Sequence, residues 1–209
     1  LDDPKNAQEI YLTAYEAFEG GDFGSARSLG EACLEVSAID SYWYAGALGL
    51  KCWVACFENR PTELEETAAA LIALDTAGDK LWFDGLAQLT LGISTHRQGK
   101  LPEARELFQQ AAQCYAAQEL HPGQPEEWRG VLDYFSTVCT WAASGERAVL
   151  VDYLGGLESY PPGELIRQLK AAAKLMIRYA DGEAVRKEAA ELVQQGVSRT
   201  FMAFPLLGG

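Results

Sequence analysis

Two thiols and an imidazole beside a guanidinium are the groups whose chemistry is weighed first. Cys52 and Cys56 stand four residues apart, which puts both on one face of a helix, where a metal ion takes two ligands from adjacent turns. A metal site needs further ligands, and the chain has only His96 and His121 as imidazoles. The pair therefore reads as two buried thiols, and no metal or cofactor is expected. His96 beside Arg97 reads either as a small anionic pocket or as a solvated helix end, where the helix dipole favours a cation. No phosphate-cradling glycine loop, GxSxG elbow or HExxH motif is present. The carboxylates, though plentiful, show no pattern pairing a proton donor with a base. The chain is not expected to be an enzyme.

Composition narrows the elements that must position any site. The 209 residues are 48% hydrophobic and 22% charged, enough for a sizeable core and unlike a disordered chain. Alanine is abundant and runs of Val, Ile and Thr are scarce, which favours helix over sheet. The net charge of −13 is the wrong sign for nucleic acid, so no DNA or RNA partner is expected. Residues 161–209 are slightly basic, leaving an acidic body with a basic end. Cys33, Cys52, Cys56, Cys114 and Cys139 are odd in number and fall inside helical apolar patterns, as free thiols of a reducing compartment would. No apolar run approaches the roughly 20 residues of a membrane span. A cytoplasmic protein is expected. The chain starts at Leu1 rather than Met, so a removed signal or a preceding domain, and with it a periplasmic or exported location, stays open.

Helix-breaking residues recur along the chain: Gly20-Gly21-Asp22, Asn59-Arg60-Pro61, Ala77-Gly78-Asp79, Gly99-Lys100, His121-Pro122-Gly123, Ser144-Gly145, Tyr160-Pro161-Pro162-Gly163 and Asp181-Gly182. Glycine suits the left-handed position that ends a helix, and proline the first turn of the next. Between the breaks, apolar residues repeat at three- and four-residue spacing. The pattern predicts helices over 4–19, 23–37, 40–58, 62–77, 80–98, 101–118, 125–143, 146–158, 163–180 and 183–200. Thr62 with Glu65 has capping-box spacing, and Pro102 lies in a first helical turn. Ten helices joined by short turns make about five antiparallel hairpins, an all-α superhelix in a single domain spanning 1–209, with 163–209 as a C-terminal capping hairpin and tail.

The segment 86–117 resembles a tetratricopeptide repeat through Leu91, Gly92, Gly99, Ala104, Phe108 and Ala111. Gly92 and Ala104 allow close helix approach, Gly99 turns the chain, and Phe108 fills the space between hairpins. Thr95 departs from the aromatic that the family prefers. A second copy at 8–37 carries Ala14, Gly21, Phe23, Ala26 and Cys33 in matching places, with Gly30 in place of the aromatic. The segment 43–77 keeps Leu48-Gly49, and later segments keep little, as degenerate repeats or end caps do.

The resemblance implies that first helices line a concave face where a partner sits. Carried over residue by residue, that face holds Tyr11, Tyr15 and Phe18, then Trp43, Leu50 and Trp53, then Ile93, His96 and Arg97, then Phe135. It is too apolar and aromatic for gripping acidic tails. It suits an apolar groove taking an extended or helical protein segment, so the expected function is a non-enzymatic scaffold for a protein or peptide partner. Two alternatives stand beside it. One is a ligand-sensing domain of a larger bacterial regulator, with a closed pocket walled by Trp43, Trp53, Phe135 and Trp141. The other is a self-assembling module forming a homo-oligomer. Arg167, Lys170, Lys174 and Arg178 form a basic stripe on the ninth helix, read either as a dock for an acidic partner or as a solvated face. The apolar end Phe201-Met202-Ala203-Phe204-Pro205-Leu206-Leu207 either packs back as a cap or occupies a neighbour's groove.

Overall fold

The alanine-rich segments fold into helices throughout the chain. In order these are α1 (Pro4–Gly20), α2 (Phe23–Val36), α3 (Tyr42–Phe57), α4 (Pro61–Ala73), α5 (Lys80–Arg97), α6 (Leu101–Ala117), α7 (Glu127–Ser144), α8 (Ala148–Gly156), α9 (Glu164–Ala180), α10 (Arg186–Gln194) and α11 (Ala203–Leu207). Short 3-10 turns cover Leu157–Ser159 and Arg199–Met202. The structure is a computed structural model describing residues 4–39, 41–76 and 79–207, and no strand occurs among them. From α1 to α9 each helix packs on its successor. Odd-numbered helices also pack on one another, α1 on α3, α3 on α5 and α7 on α9. That two-layer pattern is an all-α superhelix of antiparallel hairpins, with odd helices as one layer and even helices as the other. One core cluster runs without a break from Ala14 to Leu207. None of the described helices is long and apolar enough to cross a membrane.

Local chemistry sets where the helices begin. The Asp22 carboxylate accepts the Ser25 amide at 3.0 Å, and the Ser41 hydroxyl accepts the Tyr44 amide at 3.2 Å, each satisfying a donor the helix leaves unpaired. The capping box expected from Thr62 and Glu65 does not form. Proline needs no amide partner, so α4 begins at Pro61, with Arg60 as its cap and no side-chain cap bond. The same helix ends at Ala73, short of 77, because Leu74 turns to an extended conformation. Ala77 and Gly78 lie outside the described residues. The helix expected over 183–200 shrinks to α10. Its chain reverses at Gly196, whose φ of +92° is left-handed and accessible to glycine at little cost.

The close approach expected at Gly92 is present. A Cβ there would stand 2.6 Å from Phe108 Cε1, so the buried ring of α6 lies directly on the bare backbone of α5. Ala104, also buried, keeps the facing surface of α6 small. Gly30, inside α2, is different: a Cβ there meets only Lys51 Cγ at an ordinary 3.6 Å. Gly92→Ala is expected to lower stability by about 1–3 kcal/mol through overpacking, while Gly30→Ala raises it by about 0.5–1 kcal/mol through helix entropy. Urea denaturation of the two variants checks this, and equal midpoints would remove the close-contact explanation.

Candidate functional site

The odd-numbered helices present their apolar stripes to a cavity of about 760 Å³. Tyr11, Leu12 and Tyr15 come from α1, and Tyr42, Gly46, Leu50 and Trp53 from α3. Trp82, Phe83 and Leu86 come from the first half of α5, Tyr115 from α6, and Trp128, Val131, Leu132 and Phe135 from α7. Leu165 and Gln168 of α9 complete the helical wall. The spacings of three and four residues within α3, α5 and α7 are those of a single helix face. Ten of the chain's 22 Phe, Trp and Tyr residues line the space, so the wall is largely aromatic rather than aliphatic.

Those rings are locked against one another. Tyr115 and Phe135 stack with centroids 5.2 Å apart, and Trp82 meets both edge-on at 5.5 and 5.8 Å. Glycines provide seats for two wall tyrosines: a Cβ on Gly46 would stand 3.0 Å from Tyr11, and one on Gly85 3.0 Å from Tyr115. Burial pushes the hydroxyls of Tyr11, Tyr15 and Tyr115 well above the ordinary tyrosine value, so all three are neutral phenols.

Polar groups gather where the α6–α7 connection meets the start of α5. His121 Nε2 lies 2.6 Å from Asp79 Oδ1, and the His121 amide donates to Gln124 Oε1 at 2.9 Å. The buried Gln118 accepts the Trp82 amide at 3.0 Å, and its carbonyl accepts from Arg129 at 2.9 Å. These bonds pin the connection beside the cavity. Leu12, Tyr42 and Trp128, which are 48%, 45% and 44% exposed, also belong to the wall and so form an apolar collar where it meets solvent. The Tyr42 hydroxyl is held above its ordinary value by desolvation first and by the charge of Asp79 second.

The far wall is the chain's own C-terminus. Ser198, Thr200 and Phe201 line the cavity. Glu19 of α1 accepts the Ser198 hydroxyl at 2.8 Å and the Arg199 amide at 2.6 Å. The Arg199 guanidinium donates to the Glu19 carbonyl at 3.0 Å and lies 5.6 Å from the Phe23 ring and 5.9 Å from the Phe57 ring. Further on, the Tyr134 hydroxyl donates to the Phe201 carbonyl at 2.5 Å. Phe204 wedges between Phe108 at 5.5 Å and Trp141 at 5.7 Å. The tail packs back, but as a strap joining α1 to α6 and α7 rather than as a terminal lid.

Of the residues named from sequence, Tyr11, Tyr15, Leu50, Trp53 and Phe135 come together on this wall. Phe18 is buried between Phe23 and Phe57 at 5.8 and 5.6 Å, because the α1 stripe has by then rotated toward α2 and α3. Trp43 packs behind the wall on Tyr11 and Tyr42, and Trp141 lies under Phe204. Ile93, His96 and Arg97 occupy the second half of α5, whereas the cavity sits against its first half. Ile93 is core, His96 is exposed, and Arg97 donates to the Cys56 carbonyl at 3.1 Å. Tyr42, Trp82, Phe83, Tyr115 and Trp128 were missed. Trp82 and Trp128 lie four residues before Leu86 and Leu132 on the same helix faces, so extending each stripe toward its helix start would have found them.

The remaining motifs fall outside this site. Cys52 and Cys56 are buried thiols, raised by desolvation, and Cys56 Sγ lies 3.7 Å from the Thr90 carbonyl. Among the described residues no three His, Cys, Asp or Glu side chains are grouped to hold a metal ion. In the basic stripe, Arg167 pairs with Glu164, Lys170 with Glu158, and Arg178 with Glu183 and Glu188.

The fold and site thus define a helical-repeat stack enclosing an aromatic cavity. No family model matches the chain, and no curated protein or solved structure matches it either.

Glu19→Ala removes both tail-anchoring carboxylate bonds, each worth about 1.5–3 kcal/mol when charge-assisted. Amide exchange over residues 198–204 is expected to rise about tenfold or more with α5 and α6 unchanged; unchanged exchange would show that Glu19 does not hold the strap. Alkali tests the buried thiols. Burial pushes Cys56 up to about 12 from an ordinary 9.0, so the unfolded chain loses that proton first. Stability is then intact below pH 9 and falls as pH rises toward 12, by about 1 kcal/mol per pH unit from this group. Urea midpoints at pH 8 and pH 10 read the fall, and Cys56→Ala should flatten it in part.

Proposed function

We propose that this chain is a binding module, with no reaction of its own, that holds a small and largely apolar organic molecule within a tetratricopeptide-like helical stack. The observation that carries this reading is the cavity of about 760 Å³ walled by interlocked rings. Its size falls in the range of small-molecule sites, roughly 300–1,000 Å³, and its ionisable groups Asp79, Glu119 and His121 gather at one end. A sensing domain of a larger regulator is a setting that such a pocket suits, since a ligand touching six helices and the strap would stabilise them together.

A second reading, capture of an apolar protein segment, draws on the strap itself. Phe201 and Phe204 lodge among rings of α6 and α7, so this surface already accepts a short helical apolar segment, and an external segment with similar spacing would compete for it.

The neutral dye N-phenyl-1-naphthylamine, which brightens in apolar surroundings, separates the readings. It is expected to bind the intact chain and raise its melting temperature. Leu50→Trp fills the cavity from α3 and should weaken the dye at least about tenfold while the helical circular-dichroism signal persists. Undiminished binding to Leu50→Trp would place the dye elsewhere and sink the cavity reading. A free peptide copying residues 198–207 that binds while the dye does not would favour the second.

A further inference from the structure

We propose that the cavity selects organic molecules carrying a positive charge: its ligand is a lipophilic cation, with rings or aliphatic groups in the aromatic wall and the charge toward Asp79. The inference rests on the cavity reading above and adds the sign of the ligand's charge.

Three observations carry it. First, the lining contains no Lys or Arg, while its acidic members are Asp79 and Glu119; the undescribed residues, by sequence, add no basic side chain. An anion taken from water into such a wall would meet no permanent positive charge to offset its lost hydration. Second, the Asp79 carboxylate is only 23% exposed and is held by His121 Nε2 at 2.6 Å, an imidazole rather than an ammonium or guanidinium group. The neighbouring Lys80 is engaged elsewhere, with Asp84 and with the Ile72 carbonyl at 2.7 Å. Asp79 thus provides a partly desolvated negative charge at the polar end of the cavity, where its attraction is screened less than at an open surface. Third, the wall is made of rings, and aromatic side chains attract cations through their quadrupoles, most strongly where water is excluded.

The surrounding field acts in the same direction. The chain carries a net charge of −13, which raises the local concentration of cations and lowers that of anions near its surface. A fatty acid, an organic phosphate or another amphiphilic anion would face the opposite balance at every step.

Two probes of the same shape and opposite charge test the proposal. Tetraphenylphosphonium and tetraphenylborate are titrated into the full chain by calorimetry, with N-phenyl-1-naphthylamine as the neutral reference. The cation is expected to bind at least about tenfold more tightly than the anion. Asp79→Asn, similar in size and checked for helicity, should weaken the cation at least about fivefold more than it weakens the neutral dye. If dye and anion bind as well as the cation, or if Asp79→Asn leaves the cation unaffected, the charge selection is overturned while the cavity reading stands. If none of the three binds, both fail.

Discussion

Glu19 ties α1 to the segment that follows α10. In a stack of helical hairpins each pair touches only its neighbours, and nothing in that arrangement ties the first pair to the last. Here one carboxylate on α1 accepts bonds from Ser198 and Arg199, while Tyr134 and Phe108 hold Phe201 and Phe204 further along. The strap turns an open curved surface into a walled space. Without it, the rings of Tyr15 and Phe135 would border an unroofed groove. With it, the inner face becomes a cavity of about 760 Å³ walled on several sides.

The inner layer shows why such a closure is needed. An amphipathic helix in a two-layer stack buries one stripe against its partner and leaves the opposite side to solvent. In α3 the arrangement is more extreme, since every residue from Ala45 to Leu50 and from Cys52 to Cys56 is buried. A helix apolar on all sides must be covered on all sides. Helices α1, α2, α4 and α5 pack on α3, and its Tyr42, Gly46, Leu50 and Trp53 line the cavity. The same physics accounts for the glycines beneath the rings. Gly46, Gly85 and Gly92 lie under Tyr11, Tyr115 and Phe108, so the largest side chains pack where a Cβ would exclude them.

The polar end of the cavity has a different logic. The connection from α6 to α7 contains His121-Pro122-Gly123 and has no helical bonds to hold it. It is fixed instead by side chains, Asp79 on His121 and Gln118 on the Trp82 amide. The groups that rigidify the loop are also those nearest to the cavity's polar edge, which makes the loop's stability and the site's electrostatics one problem. The charge preference proposed for the ligand draws on the same place: the wall has Asp79, Glu119 and His121, and it has no lysine or arginine.

Local sequence determined the helices, their breaks and part of the wall. Apolar spacing of three and four residues needs only the geometry of a single helix, so the elements from α1 to α9 were legible to within a few residues. Tyr11 with Tyr15, and Leu50 with Trp53, could be placed on a common face for the same reason. What a single helix cannot reveal is how far along its length a neighbour stands. Ile93, His96 and Arg97 continue the α5 face yet miss the cavity, while Trp82, at the other end, meets it. The strap was beyond reach altogether: the bonds from Glu19 to Ser198 and Arg199 span about 180 residues of chain, and no short-range pattern encodes a partner so distant. Helix identity was thus decided by periodicity within each segment. Enclosure was decided only by tertiary structure, because it depends on where the last residues come to rest against the first.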